Sequence, residues 1–316
     1  MRERAPSAAD PRLQRPSRRG SEDKSSAHRA SVHFPRRLLF PREHGAWGMV
    51  SLPFLAGALV AGHWTNLRTV AAAVAVFSVF LVREPLLALW RLRVANRKYG
   101  TDAGAPPADI QKDSEKQNAR LSLLIYGVGA IASGLYLLVS LPLAPLLLLG
   151  CGAGLLMPAL LYFTVRNYQR HPVLQIAGVM GLTSSSLLSY LAGRGQWEEP
   201  AFWIWLLSAA HGSASVLIVH ARLEAILAAK RPGSAATSDR RNAVAGQAGL
   251  GLVLLTLAVA GRPWLILPFL PPTILHWLEL WQLKGNGLPQ VSLRRVGWLQ
   301  LSASVVFCLL LVAALR

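Results

Sequence analysis

Ser208, His211, Ser215 and Arg222 stand 3, 4 and 7 residues apart in a segment that is otherwise apolar. That spacing puts all four on one stripe of an α-helix. Ionisable side chains at membrane depth cost several kcal/mol unless paired or hydrated, so such a stripe faces protein or water rather than acyl chains. His211 can exchange a proton or serve as a hydrogen-bonded packing residue, and Arg222 can hold a phosphate or a carboxylate. Further along, "HWLEL" sets His276 and Glu279 three residues apart on one helical face. The flanking Trp277 and Trp281 fit equally a ring of interfacial aromatics.

Other groups join them. Arg83 and Glu84 precede Pro85, whose missing amide predicts a kink with a free carbonyl beside the charges. The simpler reading is a self-neutralising ion pair on a bent helix. Pro41, Arg42, Glu43 and His44 lead into an apolar run containing Trp47, where Glu43 and His44 form either the lip of a polar cavity or a helix cap. Arg97 follows the second apolar segment, and Tyr162, Arg166, Asn167, Arg170 and His171 cluster at the end of the fourth. The pattern assigns His44, Glu84 and Glu279 as candidates for proton transfer. Arg83, Arg222, Arg97, Arg166, His211 and His276 are the candidates for holding an anionic group.

These residues need elements that fix their depth. Hydrophobic residues make up 53% of the 316 and charged ones 15%, a balance foreign to soluble domains. A helix needs about 20 apolar residues to cross a bilayer. Nine segments come near that length, at 44–63, 68–90, 121–139, 142–163, 173–192, 201–222, 244–260, 263–281 and 296–315. The fold class is therefore an all-α polytopic membrane bundle of about nine helices, covering 39–316. Residues 1–38, rich in Arg, Ser and Pro, read as a disordered basic tail without the apolar core of a secretory signal.

The net charge of +18 is distributed between the apolar runs and in the tail rather than forming a nucleic-acid patch. With the tail inside, 28 of the 33 Lys and Arg fall on the cytoplasmic side, and only Arg68, Arg194, Arg262 and Arg316 fall opposite. This bias predicts a multi-pass protein of the cell membrane with its amino terminus in the cytoplasm and its carboxyl terminus outside. Cys151 and Cys308 lie within apolar runs, so no disulfide framework or cysteine metal set is present, and the sequence contains no P-loop, Gly-x-Gly-x-x-Gly or His-Glu-x-x-His motif.

"PREHGAWGM" resembles the YwiC-like family of bacterial integral membrane proteins, whose Pro-x-x-His-Gly-Ala-Trp signature is matched by Pro41, His44, Gly45, Ala46 and Trp47. The family resemblance implies a membrane protein and brings no activity with it. Nine spans with long loops after the second and sixth are similar, more distantly, to the UbiA superfamily of intramembrane prenyltransferases. That similarity implies a cytoplasm-facing cavity for an isoprenyl diphosphate held through magnesium by Asp-rich motifs. Here Glu84, Asp102, Asp109, Glu224 and Asp239 occupy the corresponding regions without Asp-x-x-Asp spacing, so the cofactor stays open.

The reading that unites these features is a cytoplasm-facing polar cavity in a lipid-embedded bundle, binding an anionic amphiphile such as an isoprenoid diphosphate or a phospholipid, with or without transferase chemistry. A secondary transporter, supported by His211 and the "TSSS" at Thr183–Ser186, and an accessory factor without a ligand are the alternatives. The charge bias makes the orientation testable. A cysteine at Gln196 should react with an impermeant maleimide on intact cells and one at Ser238 should not; the reverse pattern would invert the topology.

Overall fold

The computed structural model describes residues 37–41, 44–99, 106–166, 171–229, 237–283 and 293–316. Most of the expected tail, together with Arg42, Glu43, Asn167 and Arg170, lies outside them. The described residues form α1 (His44–Ala61), α2 (Leu67–Tyr99), α3 (Pro106–Ser140), α4 (Leu143–Val165), α5 (Pro172–Thr183), α6 (Ser185–Arg194), α7 (Glu199–Ala229), α8 (Thr237–Val259), a 3₁₀ segment (Pro263–Phe269), α9 (Leu270–Gln282) and α10 (Leu293–Leu315). Helices are what a lipid-embedded chain must form, because each satisfies its own backbone amides and carbonyls.

Seven stretches among the described residues are long and apolar enough to cross a membrane, and the apolar part of α1, Gly45–Ala61, is slightly shorter. The protein is thus a multi-pass helical membrane bundle. Two segments differ in detail from the sequence expectation. Residues 263–281 do not form one α-helix: Pro263, Pro268, Pro271 and Pro272 deny amides to a regular ladder, so the chain runs as a 3₁₀ segment before α9. The fifth segment is jogged at Ser184, between α5 and α6. Around Pro85, in contrast, α2 continues as a helix of 33 residues.

Small residues set the closest helix approach. α1 and α6 run side by side in the same direction, with Ser185 Oγ donating to the Val50 carbonyl at 2.9 Å. Farther along, a Cβ on Gly57 would collide with Ser189 Oγ and the Ser186 carbonyl. A Cβ on Gly193 would come within 2.7 Å of Ala61 Cβ. α10 lies along α1 in the same sense: Cys308 Sγ donates to the Leu52 carbonyl at 3.3 Å, and Arg316 Nη2 to the Leu59 carbonyl at 2.7 Å. α7 is the central helix, packed by α1, α5, α6, α8, α9 and α10. Its Ile204, Leu207 and Ile218 are fully buried, and the apolar core continues through Tyr190, Leu257, Leu265, Phe269 and Leu311. α4 packs on α5 and α2 and leaves most of its Leu-rich surface outward, as a lipid-facing helix does.

The end of the bundle that carries Arg68, Arg194, Arg262 and Arg316 is tied by ion pairs. Arg262 Nη2 meets Glu199 Oε1 at 2.5 Å while its guanidinium sits 5.5 Å from the Trp203 ring. Glu198 accepts from Tyr190 Oη at 2.6 Å and lies 3.8 Å from Arg194. The Tyr190 hydrogen bond, more than any other contact, holds the exposed Glu198 carboxyl below the ordinary carboxylate range.

The α1–α6 contact gives a direct test of packing. Gly57→Ala must displace backbone at Ser186, so it should destabilise the protein by about 1–3 kcal/mol in detergent unfolding. Gly150→Ala on α4, whose Cβ would meet open space, should leave the midpoint unchanged or raise it slightly.

Candidate functional site: a buried polar network on α7 to α10

The stripe read on α7 is real and buried: Ser208, His211, Ser215 and Arg222 are each at most 6% exposed. α9 turns its polar side to the same interior. His276 and Glu279 are buried while Trp277 and Trp281 point outward, so the tryptophans face lipid and the two polar groups do not belong to their belt. At one end of the network Arg222 Nη1 pairs with Glu279 Oε2 across α7 and α9, both side chains 6% exposed. Such a pair persists in low dielectric because neither charge is left alone.

The imidazoles occupy the middle. His276 Nδ1 lies 3.2 Å from Gln247 Nε2 of α8, and its Nε2 lies 3.3 Å from both Gln300 Oε1 of α10 and Ser215 Oγ of α7. His211 Nε2 lies 3.0 Å from Ser304 Oγ, which itself donates to the Gln300 carbonyl at 2.9 Å. The two rings are nearly parallel, 11° apart with centroids 6.2 Å from each other, and Phe307 stacks on His211 at 4.3 Å. Four helices therefore supply two imidazoles, two carboxamides, hydroxyls and an ion pair to one buried region. Its chemistry suits hydrogen-bond relay, because these groups can accept one proton and release another.

Of the residues singled out from sequence, the structure brings Arg222, Glu279, His276 and His211 together. Arg83 and Glu84 form their own pair on α2, 3.8 Å apart and about a quarter exposed. Arg166, at the end of α4, is exposed with its guanidinium 5.0 Å from the Tyr162 ring. His44 opens α1 and Arg97 lies in the last turns of α2, but their side chains lie outside the described residues. Among the described residues no three His, Cys, Asp or Glu side chains group as metal ligands.

Gln247, Gln300 and Ser304 were not singled out from sequence. An uncharged amide among small residues carries little signal, although Gln300 and Ser304 stand four apart on one face of α10. The "TSSS" hydroxyls, read as polar access, are instead used locally. Thr183 and Ser184 donate to carbonyls of α5, Ser186 of α6 donates back across the jog to the Thr183 carbonyl, and Ser185 donates to α1. Trp47 of the opening motif also has a packing role: Nε1 donates to the Pro41 carbonyl at 3.4 Å, and the ring packs on Phe77 and Phe80 of α2.

The ion pair makes a stability prediction. Glu279→Ala leaves a buried guanidinium unpaired and should cost about 3–5 kcal/mol. Arg222→Met combined with Glu279→Leu should recover most of that loss in detergent unfolding. Wild-type stability in Glu279→Ala would mean that Arg222 reaches water.

No curated protein and no solved structure matches the chain. A family model described as YwiC-like protein matches residues 40–192, the stretch from the Pro41 motif through α6. The matched stretch stops before α7, so the polar network rests on its geometry alone. Over residues 40–192, a little under half of its length, the chain is similar to the YwiC-like family.

Proposed function

We propose that the protein is a proton carrier of the membrane, in which protons move along the α7 stripe between the Arg222–Glu279 pair and His211. The observation that carries this reading is the burial of Arg222, Ser215, His211 and Ser208 on one face of a spanning helix. At 1.5 Å per residue the stripe covers about 21 Å of a hydrocarbon core about 30 Å thick. Ionisable groups kept at such depth mark solute or proton pathways in membrane proteins. In the proposed orientation Arg222 lies nearest the cytoplasm, and beyond Ser208 the apolar Ile204 and Leu207 close the path toward the Arg262–Glu199 end.

Binding of an anionic amphiphile, with or without transfer chemistry, is the second reading. Arg222 would reach a head group only after leaving Glu279, which weakens it. It is favoured by the partly exposed Arg83–Glu84 pair on α2, which a phosphate could meet from the membrane surface.

The carrier reading is tested in proteoliposomes containing an internal pH dye, with a potassium diffusion potential imposed by valinomycin. Wild-type protein should acidify or alkalinise the lumen with the sign of the potential, and His211→Phe should reduce the rate at least tenfold. A wild-type rate equal to that of empty liposomes would sink it. Native mass spectrometry that then finds a specific phosphorylated lipid, lost in Arg83→Ala, would put the amphiphile reading in its place.

A further inference from the structure

Of the four arginines at one end of the bundle, three are already engaged. Arg194 lies 3.8 Å from Glu198, Arg262 pairs with Glu199, and Arg316 donates to the Leu59 carbonyl through both Nε and Nη2. Arg68, in the first turn of α2, is half-buried, and its backbone amide is taken by Asn66 Oδ1. Its guanidinium has no ion pair or hydrogen bond among the described residues.

Beside Arg68 the surface opens into an apolar groove of about 440 Å³. Pro142, Ala144, Pro145 and Leu148 at the start of α4 form one wall, and Gln196 and Trp197, between α6 and α7, form the other. A Cβ on Gly195 would lie 3.9 Å from Arg68 Nη1, and Gln196 is the next residue, so the guanidinium stands at the rim. The walls are rigid. The two prolines fix their own φ, and the Trp197 ring is held by an Nε1 bond to the Leu187 carbonyl at 3.1 Å and by edge contact with Phe202 at 5.6 Å.

Depth narrows the occupant. Spanning stretches begin or end at Leu67, Ser140, Leu143, Arg194 and Glu199, which puts Arg68 and the groove mouth at the level of lipid head groups. Trp64, 61% exposed just before α2, is an aromatic of that interface. Leu148, five residues into α4, lies roughly 8 Å deeper, among acyl chains. A soluble anion would leave the apolar groove empty, and a lipid without phosphate would leave Arg68 unmatched. Glu198 accepts from Gln196 Nε2 at 3.2 Å, but its charge is balanced by Arg194.

We infer that Arg68 and the groove between α4 and Trp197 form a site for one phospholipid, its phosphodiester on the guanidinium and the upper part of one acyl chain between Leu148 and Trp197. The site lies apart from the α7 to α10 network and does not depend on protons crossing the membrane.

The test uses proteoliposomes of phosphatidylcholine doped with a phosphatidylcholine that carries a diazirine near the glycerol end of one acyl chain. After irradiation, adducts are mapped by peptide mass spectrometry. Adducts at residues 142–148 and 196–197 should exceed those at Leu155, an outward residue of α4, at least threefold. Arg68→Gln should lower the groove adducts at least threefold and leave those at Leu155 unchanged, whereas Arg68→Lys should keep most of them. A diacylglycerol with the same photoreactive chain, which lacks the phosphate, should label the groove no more than Leu155. Equal labelling of groove and Leu155 by the phospholipid overturns the inference, as does groove labelling that ignores Arg68→Gln or is lost equally in Arg68→Lys. Preferential groove labelling by the diacylglycerol also overturns it.

Discussion

Hydrocarbon offers no hydrogen bonds, and that one constraint organises this molecule. It forces the backbone into helices, and it decides where every polar side chain can go. Arg222 and Glu279 meet across α7 and α9, each supplying the other's counter-charge away from water, and the pairing restrains the rotation of both helices. Once α9 is turned to present Glu279 inward, His276 three residues earlier must also enter the interior, and Gln247, Gln300 and Ser215 gather around it. The bundle half built on α7 to α10 holds a polar cluster within an apolar interior, with Trp277 and Trp281 exposed on α9.

The seam between α1 and α6 solves the same problem without charges. α1 and α6 come together through Ala56, Gly57, Ala61 and Gly193, where absent side chains let backbones touch. The serines at the jog between α5 and α6 bond to carbonyls and remove their own polarity from the surface. The Pro41–Trp47 contact sits at the start of α1. It folds the approach to α1 back onto its first turns, and Leu39 extends the same anchoring by bonding to Ser122 and Tyr126 of α3.

Much of this was legible in the order of residues. Apolar runs of bilayer length located the spans, and the period of Ser208, His211, Ser215 and Arg222 identified the inward face of α7. A shared depth led to the expectation that Arg222, His276 and Glu279 line one cavity, but which side chain bonds to which was not legible. Glu279 is 57 residues from Arg222, and nothing local says that the two meet. Gln247 and Gln300 become significant only when His276 stands between them, since an amide in an apolar helix is otherwise unremarkable. Residues 263–281 have the hydropathy of a span, but hydropathy ignores the amides that four prolines remove. Burial separates the two arginine–glutamate pairs, leaving Arg83–Glu84 partly exposed and Arg222–Glu279 inside.

The side-by-side alignment of α1 with α6 and α10 bears on how the chain is made. Val50 bonds to Ser185, 135 residues later, and Leu52 to Cys308, 256 residues later. Synthesis delivers α1 first, yet its neighbours leave the ribosome long afterwards, α10 last of all. During that interval the first helix must reside in the bilayer with its glycine face against lipid. An apolar helix whose polar contacts are nearly all backbone carbonyls can wait there at little cost, whereas α7, with Arg222 unpaired until α9 arrives, cannot. The helix that tolerates solitude thus precedes its partners along the chain, and only 57 residues separate the two buried charges.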